Sequence, residues 1–165
     1  MGQALKGRQG LRGQAASGAS SRDTDVFAWT RQQAALLKSQ DFKNIDFLNI
    51  AEELLEVGNS EFDKLESNLR IVLLHMLKWD CQPDRRARSC ALSIREHRRR
   101  VGRVLKKNPG LSSFLGEALE AAYDDARDEA AMETGLPLHR FPEASPYDWH
   151  AITEREFQID PPETP

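Results

Sequence analysis

"LESNLRIVLLHMLKW", residues 65–79, carries the clearest structural pattern in this chain. Its large apolar side chains recur at alternating steps of four and three, which is the spacing of one face of an α-helix. The members of this seam are Leu65, Leu69, Val72, Met76 and Trp79. The pattern predicts a helix that buries one side against other helices, and this helix decides the fold.

The residues before the seam also predict a helix. Asp46 stands where a helix cap is expected, and one face of the following turns is apolar. That face consists of Phe47, Ile50, Leu54 and Val57. Gly58 then interrupts the pattern, and Ser60 and Asp63 have the spacing of a capping box, which marks a helix start. One long helix that bends at Gly58 would fit too, but we expect two helices that meet there.

Two more long helices flank this region in the sequence. The first follows a cap at Asp23 or Thr24, and the other runs from Pro83, which suits a first helical turn, to the "NPG" stop at 108–110. The stripe predicted to be buried on the first helix is Val26, Phe27, Trp29, Gln33, Leu36 and Leu37. The inner stripe of the other is Ala87, Cys90, Ala91, Ile94, Val101, Val104 and Leu105.

The last long helix is predicted from about Ser112 to Glu133 and is rich in alanine, which lets helices approach closely. Gly135 ends it, and the Pro-punctuated residues beyond contain a short helix from Pro146 to about Arg155. No strand pattern occurs in the sequence. We therefore expect an all-α fold, a single bundle of about four to five helices, with a Pro-rich C-terminal segment folding back over it.

Length and composition fit one globular domain. The chain has 165 residues, of which 39% are hydrophobic and 30% charged. Residues 1–22 hold half of the glycines and no acidic residue, so we expect a disordered basic arm there, a bundle domain over 23–158 and a flexible tail over 159–165. The sequence has no secretory signal and no apolar run near the roughly 20 residues of a membrane span. These features predict a cytoplasmic protein that does not contact membranes.

Several segments resemble one bacterial family. Residues 25–111 and 122–149 are similar to the bacterial domain-of-unknown-function 29 family, and they include "HMLKWDCQPDRRARSC" at 75–90 and "GLPLHRFPEASPYDW" at 135–149. The resemblance covers about residues 25–150. It implies an almost entirely helical bacterial protein without an established activity.

Charge is divided unevenly along the chain. Residues 78–107 carry eleven basic and three acidic side chains, whereas residues 108–165 carry three and thirteen. In an antiparallel hairpin about residues 108–111, positions whose numbers sum to about 219 should lie side by side. The basic positions are Arg86, Arg88, Arg95, Arg99, Arg103, Lys106 and Lys107, and the acidic row that would face them is Glu117, Glu120, Asp124, Asp128 and Glu133. We expect these two rows to pair with each other.

The sequence contains no recognisable catalytic or metal-binding motif. No two histidines lie four apart and no glutamate stands three before one, which leaves out the helical di-iron and zinc-protease signatures. Cys81 and Cys90 could be combined with His75 and His97 into a zinc site, but neither cysteine belongs to a close pair. We therefore predict no catalytic residue, no metal and no cofactor, both thiols reduced, and His75 and His97 as buried polar positions.

These observations favour a non-catalytic helical interaction protein that binds a protein partner or forms a homo-oligomer. The alternative is a nucleic-acid-associated regulator that uses the basic segment 85–107, because clustered cations bind phosphate. A metal-dependent enzyme is the third hypothesis. If the basic row is paired within the chain, the first hypothesis is favoured over the second.

Overall fold

Residues 21–158 are described by a computed structural model, and this part of the chain is helical apart from its turns and loops. Its α-helices are α1 (Val26–Ser39), α2 (Phe47–Cys81), α3 (Arg88–Lys107), α4 (Leu115–Thr134) and α5 (Trp149–Glu154). Short 3-10 turns precede α2, α3 and α4, and a fourth lies between α4 and α5. No strand occurs within residues 21–158, and the predicted all-α helical fold is confirmed.

Two compact units divide the chain, Met1–Glu53 and Leu54–Pro165, and their described parts are 21–53 and 54–158. The predicted tail at 159–165 and nearly all of the predicted arm at 1–22 lie outside the described residues. The division into arm, bundle domain and tail therefore stays a prediction.

The first unit is held by hydrogen bonds around the start of α1 and α2. The Asp25 carboxylate accepts a hydrogen bond from the Ala28 backbone N–H at 2.9 Å, so the cap lies one or two residues beyond the predicted Asp23 or Thr24. Trp29 and Gln33 are buried, and the Gln33 side-chain oxygen accepts a hydrogen bond from the Asp46 backbone N–H at 2.9 Å. A buried amide that is bonded in this way fixes the entry into α2 without an unsatisfied polar group.

The prediction for the outer side of α1 was wrong. Val26, Phe27 and Leu37 were expected in the buried stripe, but their side chains are exposed. On a helix, Val26 and Phe27 lie about 60° or more away from the direction of Trp29, so one neighbouring helix cannot cover all of them. A second apolar side of α1 is therefore left open.

The break predicted at Gly58 was also wrong, because α2 runs unbroken from Phe47 to Cys81. Ser60 and Asp63, read as a capping box, are exposed residues within the helix. A glycine inside a helix costs only about 1 kcal/mol relative to alanine, which the surrounding helical turns can offset. Two polar residues three apart occur both in a capping box and on the exposed side of a continuous helix. The spacing of Ser60 and Asp63 therefore did not distinguish a helix start from a helix interior.

The core of the second unit forms around the seam that the sequence predicted. Leu65, Leu69, Val72 and Met76 are fully buried, and Trp79 is 6% exposed. Ile94 and Val101 from α3 and the alanines at every fourth position of α4 complete this core. Those alanines are Ala118, Ala122, Ala126 and Ala130, all fully buried. The predicted close packing of α4 is therefore present.

The C-terminal segment folds back over this core, as predicted. Phe141 and Ile152 are buried in the same apolar cluster as the α2 seam. Asp148 caps α5 by accepting a hydrogen bond from the Ala151 backbone N–H at 2.7 Å. Helix α5 is shorter than expected, beginning at Trp149 rather than Pro146.

Prolines begin the turns before α3 and α4 rather than the helices themselves. Pro83 and Pro109 each open a 3-10 turn, and the α-helices begin later, at Arg88 and Leu115. Proline fixes the backbone angle for a first turn of either helix type, which explains the difference from the predicted starts at Pro83 and Ser112. Gly135 ends α4 in the left-handed conformation, with φ of 69°, as predicted.

Candidate functional site

Helix α3 has an inner side that is buried and an outer side that is basic. Ile94 and Val101 point into the core. At 100° per residue, the outer side holds five basic residues within an arc of about 80°, along about 27 Å of helix. These five exposed residues, hereafter the basic face, are Arg88, Arg95, Arg99, Arg103 and Lys106.

The carboxylate of Glu96 on α3 lies near three guanidinium groups. Glu96 accepts hydrogen bonds from Arg99 and, at 3.0 Å, from Arg100, and Arg103 lies 3.7 Å away. The hydrogen bonds from Arg100 and Arg99 lower the pKa of Glu96. One negative charge cannot balance three positive charges, so this part of the helix keeps an excess of positive charge.

Three members of the basic face have no acidic partner in the described chain. Within residues 21–158, Arg88, Arg95 and Lys106 form no ion pair. Lys107, which the sequence grouped with them, instead binds Glu61 of α2 at 3.0 Å. Hydrogen bonds from Lys64, then Lys107 and Asn108, lower the pKa of Glu61 to about 2.

The predicted pairing between the basic row and the acidic row of α4 was wrong. Over residues 21–158 no ion pair joins α3 to α4. The acidic side of α4 meets α2 instead, where Glu133 binds Lys78 at 2.5 Å and Glu129 binds Arg70. The rest of the predicted row is exposed, at Glu117, Glu120, Asp124 and Asp128. Helical spacing places charges on one side of a helix but does not say which neighbour that side meets.

Arg86, also predicted as part of the charged surface, has a structural contact. Its Nε donates a hydrogen bond to the Trp79 backbone oxygen at 2.9 Å, and its guanidinium lies 5.3 Å from the Trp79 ring centre. A cation over an aromatic ring stabilises both side chains. Arg86 therefore holds the connection between α2 and α3.

Arg98 is a structural arginine that the sequence reasoning missed. Its three guanidinium nitrogens donate to the backbone oxygens of Ile152, Arg155 and Ala151, at 2.5, 2.6 and 2.8 Å. These carbonyls end α5, where a cation also suits the helix dipole. A signal was available, because steps of four and three from Ile94 to Val101 pass through Arg98.

A second missed cluster surrounds Asp80 at the end of α2. Arg155 binds both Asp80 oxygens, at 2.6 and 2.8 Å, and the Tyr147 hydroxyl donates to Asp80 at 2.9 Å. Burial would raise the pKa of Asp80, but the hydrogen bonds from Arg155 and Tyr147 outweigh it and lower the pKa. This cluster and Arg98 together hold the C-terminal segment on the bundle.

The two histidines predicted as buried polar positions are both partly buried. His97 Nδ1 lies 2.9 Å from the Asn68 side-chain oxygen, whereas His75 Nδ1 is buried with no hydrogen-bond partner in the described chain. Burial lowers the pKa of both, and nearby Lys78 and Arg100 act in the same direction. Both shifts favour the neutral form of the imidazole.

An apolar groove lies at the end of the second unit. It has a volume of about 380 Å³ and is defined by Leu54, Leu55, Phe62, Leu111 and Phe114, with Gly58, Asn59 and Glu117 completing its lining. Leu54 and Leu55 are each 68% exposed and Phe114 is 51% exposed. Large apolar side chains grouped in this way mark an interaction surface more often than a free surface.

Comparison with known proteins agrees with this fold. The family model described as "Domain of unknown function DUF29" matches residues 22–158. The chain belongs to the DUF29 family. No curated protein and no solved structure matches it. Membership of DUF29 supplies no activity, so the candidate surfaces of this DUF29 chain rest on its own geometry.

The DUF29 chain was predicted to have two reduced cysteines, no bound metal and no membrane-spanning helix. Cys81 and Cys90 are both free thiols, and Cys81 Sγ lies 3.8 Å from the Arg140 backbone oxygen. Residues 21–158 contain no group of three or more His, Cys, Asp or Glu side chains that could hold a metal ion. Each helix in this range is too short or too polar to cross a lipid bilayer. The expected lack of bound metal or cofactor stays a prediction.

Proposed function

We propose that this protein acts by binding rather than by catalysis, and that its basic face binds nucleic acid. The observation that carries the proposal is the charge of α3, which has eight basic residues and one acidic residue, Glu96, in twenty positions. For the basic face, nucleic acid is favoured over a protein partner because, within residues 21–158, Arg88, Arg95 and Lys106 form no ion pair and no cation of α3 pairs with α4.

The shape of the basic face suits a row of phosphates. Five cations lie along about 27 Å of one rigid helix, and phosphates on each strand of a DNA duplex follow the axis about every 3.4 Å. Arg95, Arg99 and Arg103 present planar guanidinium groups, which form forked hydrogen bonds with phosphate oxygens. Contacts of this kind fix a protein on the phosphate backbone without reading base sequence.

The same face fits a membrane surface poorly. A helix that lies on a lipid surface buries an apolar side between the headgroups. The apolar side of α3 is already used in the core, through Ile94 and Val101, and the only large apolar side chain exposed on α3 is Leu92, at 47%. The basic face therefore offers charge without the apolar contact that strengthens the binding of a helix to a membrane surface.

The test is binding of the full chain to a short fluorescent DNA duplex, followed by anisotropy. If four or five phosphates are contacted, the logarithm of the association constant should fall with the logarithm of salt concentration with a slope of about −4 between about 50 and 200 mM. The double variant Arg95→Glu with Arg99→Glu should bind at least about tenfold more weakly, since two contacts become repulsive.

The matched control makes the same change of net charge elsewhere. Lys43 and Arg140 are exposed residues outside α3, and changing both to Glu should leave most of the DNA binding intact. A flat salt dependence, or an equal loss in both double variants, would contradict the proposal. Tighter binding to phosphatidylserine vesicles than to DNA, abolished by the same α3 variant, would assign the face to membranes instead.

A further inference from the structure

We infer that two copies of this chain associate, with the outer side of α1 from one copy lying in the apolar groove of the other. The residues of this contact are distinct from those of the basic face. Each copy supplies both a helix and a groove, so in a symmetric dimer the same contact is made twice.

The groove has apolar walls from two parts of the second unit. Leu54 and Leu55 lie about two turns before Phe62 on α2, and Leu111 and Phe114 line the groove beside them. Recognition of this kind places the apolar side of an amphipathic helix between two apolar walls. Because Leu54, Leu55 and Phe114 are more than half exposed, no other part of residues 54–158 fills the groove.

Helix α1 carries the side chains that such a groove accepts. Val26 is 49% exposed, Phe27 75% and Leu37 45%. At 100° per residue these three lie within an arc of about 100°, in which Val26 and Leu37 border the buried Gln33 and Phe27 lies about 120° from it. The helix therefore has one side that is used in its own unit and, next to it, an apolar edge from Val26 round to Phe27 that is exposed.

The charges at the two surfaces are complementary. The outer side of α1 is flanked by Arg31 and Lys38, and α1 contains no acidic residue. The groove is lined by the exposed Glu117, and the neighbouring exposed residue on α2 is Glu56. Neither carboxylate forms an ion pair within residues 21–158. A cationic helix in an acidic groove orients the docking and disfavours wrong partners.

Gly58 leaves room for the incoming helix. It lies in the lining of the groove, and no atom is within 4 Å of the position that a Cβ would occupy there. A glycine on the surface of a helix lets a second helix approach its backbone closely. Gly58, which interrupts the apolar pattern of α2, thus lies where a docked helix needs a small side chain.

The experiment is sedimentation of the full chain, without nucleic acid, over a wide range of protein concentration. The wild type should form a dimer. Phe27→Glu and Leu55→Glu should each raise the dimer dissociation constant by roughly thirtyfold or more, as expected for a buried apolar anchor. The thermal unfolding of both variants should stay close to wild type because the changed side chains are exposed in the single chain.

A mixing experiment identifies the pairing. Phe27→Glu keeps an intact groove and Leu55→Glu keeps an intact α1, so an equal mixture should associate more tightly than either variant alone. Met132→Glu is the matched control, since Met132 is 84% exposed on α4 and should tolerate the change. A wild type that stays monomeric, an equal loss of dimer in Met132→Glu, or no gain on mixing would each overturn the inference.

Discussion

Helices α3 and α4 have the same length and nearly opposite charge. Each has twenty residues; α3 carries eight basic residues and one acidic residue, and α4 carries one basic and seven acidic. The acidic side of α4 forms ion pairs with α2, namely Arg70–Glu129 and Lys78–Glu133. Within residues 21–158, Arg99, Arg100 and Arg103 of α3 pair only with Glu96 of the same helix.

This difference shows that the role of a charged helix side depends on which neighbouring helix, if any, packs against it. On α4, carboxylates at the edge of the interface with α2 contribute to the packing of the bundle. On α3, the cations of the basic face point to solvent, whereas Arg98 binds the C-terminal segment and Lys107 binds Glu61 of α2. The predictions below test this contrast between inward and outward charges.

The largest effect is expected at the inward arginine. Arg98→Ala removes three hydrogen bonds from a charged group and leaves partly buried carbonyls of α5 without donors, so the free energy of unfolding should fall by about 3 kcal/mol. Arg99→Ala, one residue away on the outer side, should lower it by less than about 0.5 kcal/mol. Urea unfolding of both variants measures the difference. Equal losses would show that the inner and outer arginines do not differ in the way described.

A smaller effect on the free energy of unfolding is expected when pH is lowered, because of the partly buried histidines. His75 and His97 have pKa values lowered by burial, and unfolded histidines take up a proton as pH falls below about 6.5. The unfolded state then binds more protons, so stability is lost as pH falls below about 6.5 and these groups add no dependence above it.

The variant His75→Leu removes one of the two groups responsible for this pH dependence. It removes an imidazole nitrogen that is buried without a hydrogen-bond partner within the described residues. The variant should therefore lose less stability than wild type between neutral and mildly acidic pH, as followed by urea unfolding at several pH values. A loss as steep as that of wild type would contradict the role given to His75.

The α2–α4 pairs should give a modest but measurable coupling. A double-mutant cycle with Arg70→Ala and Glu129→Ala should show a coupling of about 0.5 kcal/mol at low salt, since both side chains are partly exposed. The coupling should shrink as salt is raised, because screening weakens exposed pairs. A coupling that is absent at low salt would remove the structural role given to the acidic side of α4.

The parts of this fold that periodicity predicted are those in which burial follows directly from spacing. The seam through Leu69 and Val72 and the alanines of α4 are buried as their spacing required. The same kind of spacing at Leu54 and Val57 did not lead to burial, because an amphipathic pattern shows that a side is apolar but not that the chain covers it.

The candidate site was predictable in its residues but not in its partners. The basic positions Arg95, Arg99 and Arg103 were identified from the sequence, whereas their pairing with α4 was not correct. The spacing of a row of charges shows on which side of its own helix the row lies. Which helix faces that side depends on the packing of the whole unit. Arg98 was missed because its charge suggested solvent, although its position lay on the inner stripe.

The central claim is that the basic face of α3 is not paired with the acidic residues of α4. A double-mutant cycle between α3 and α4 tests it most directly. Arg99→Glu, Glu120→Lys and the double variant should be unfolded in urea at low salt, where exposed charge pairs are strongest. The structure predicts a coupling within about 0.2 kcal/mol of zero, below that of the Arg70–Glu129 cycle. A coupling of about 0.5 kcal/mol or more, reduced at high salt, would show that α4 neutralises α3 and would contradict the account.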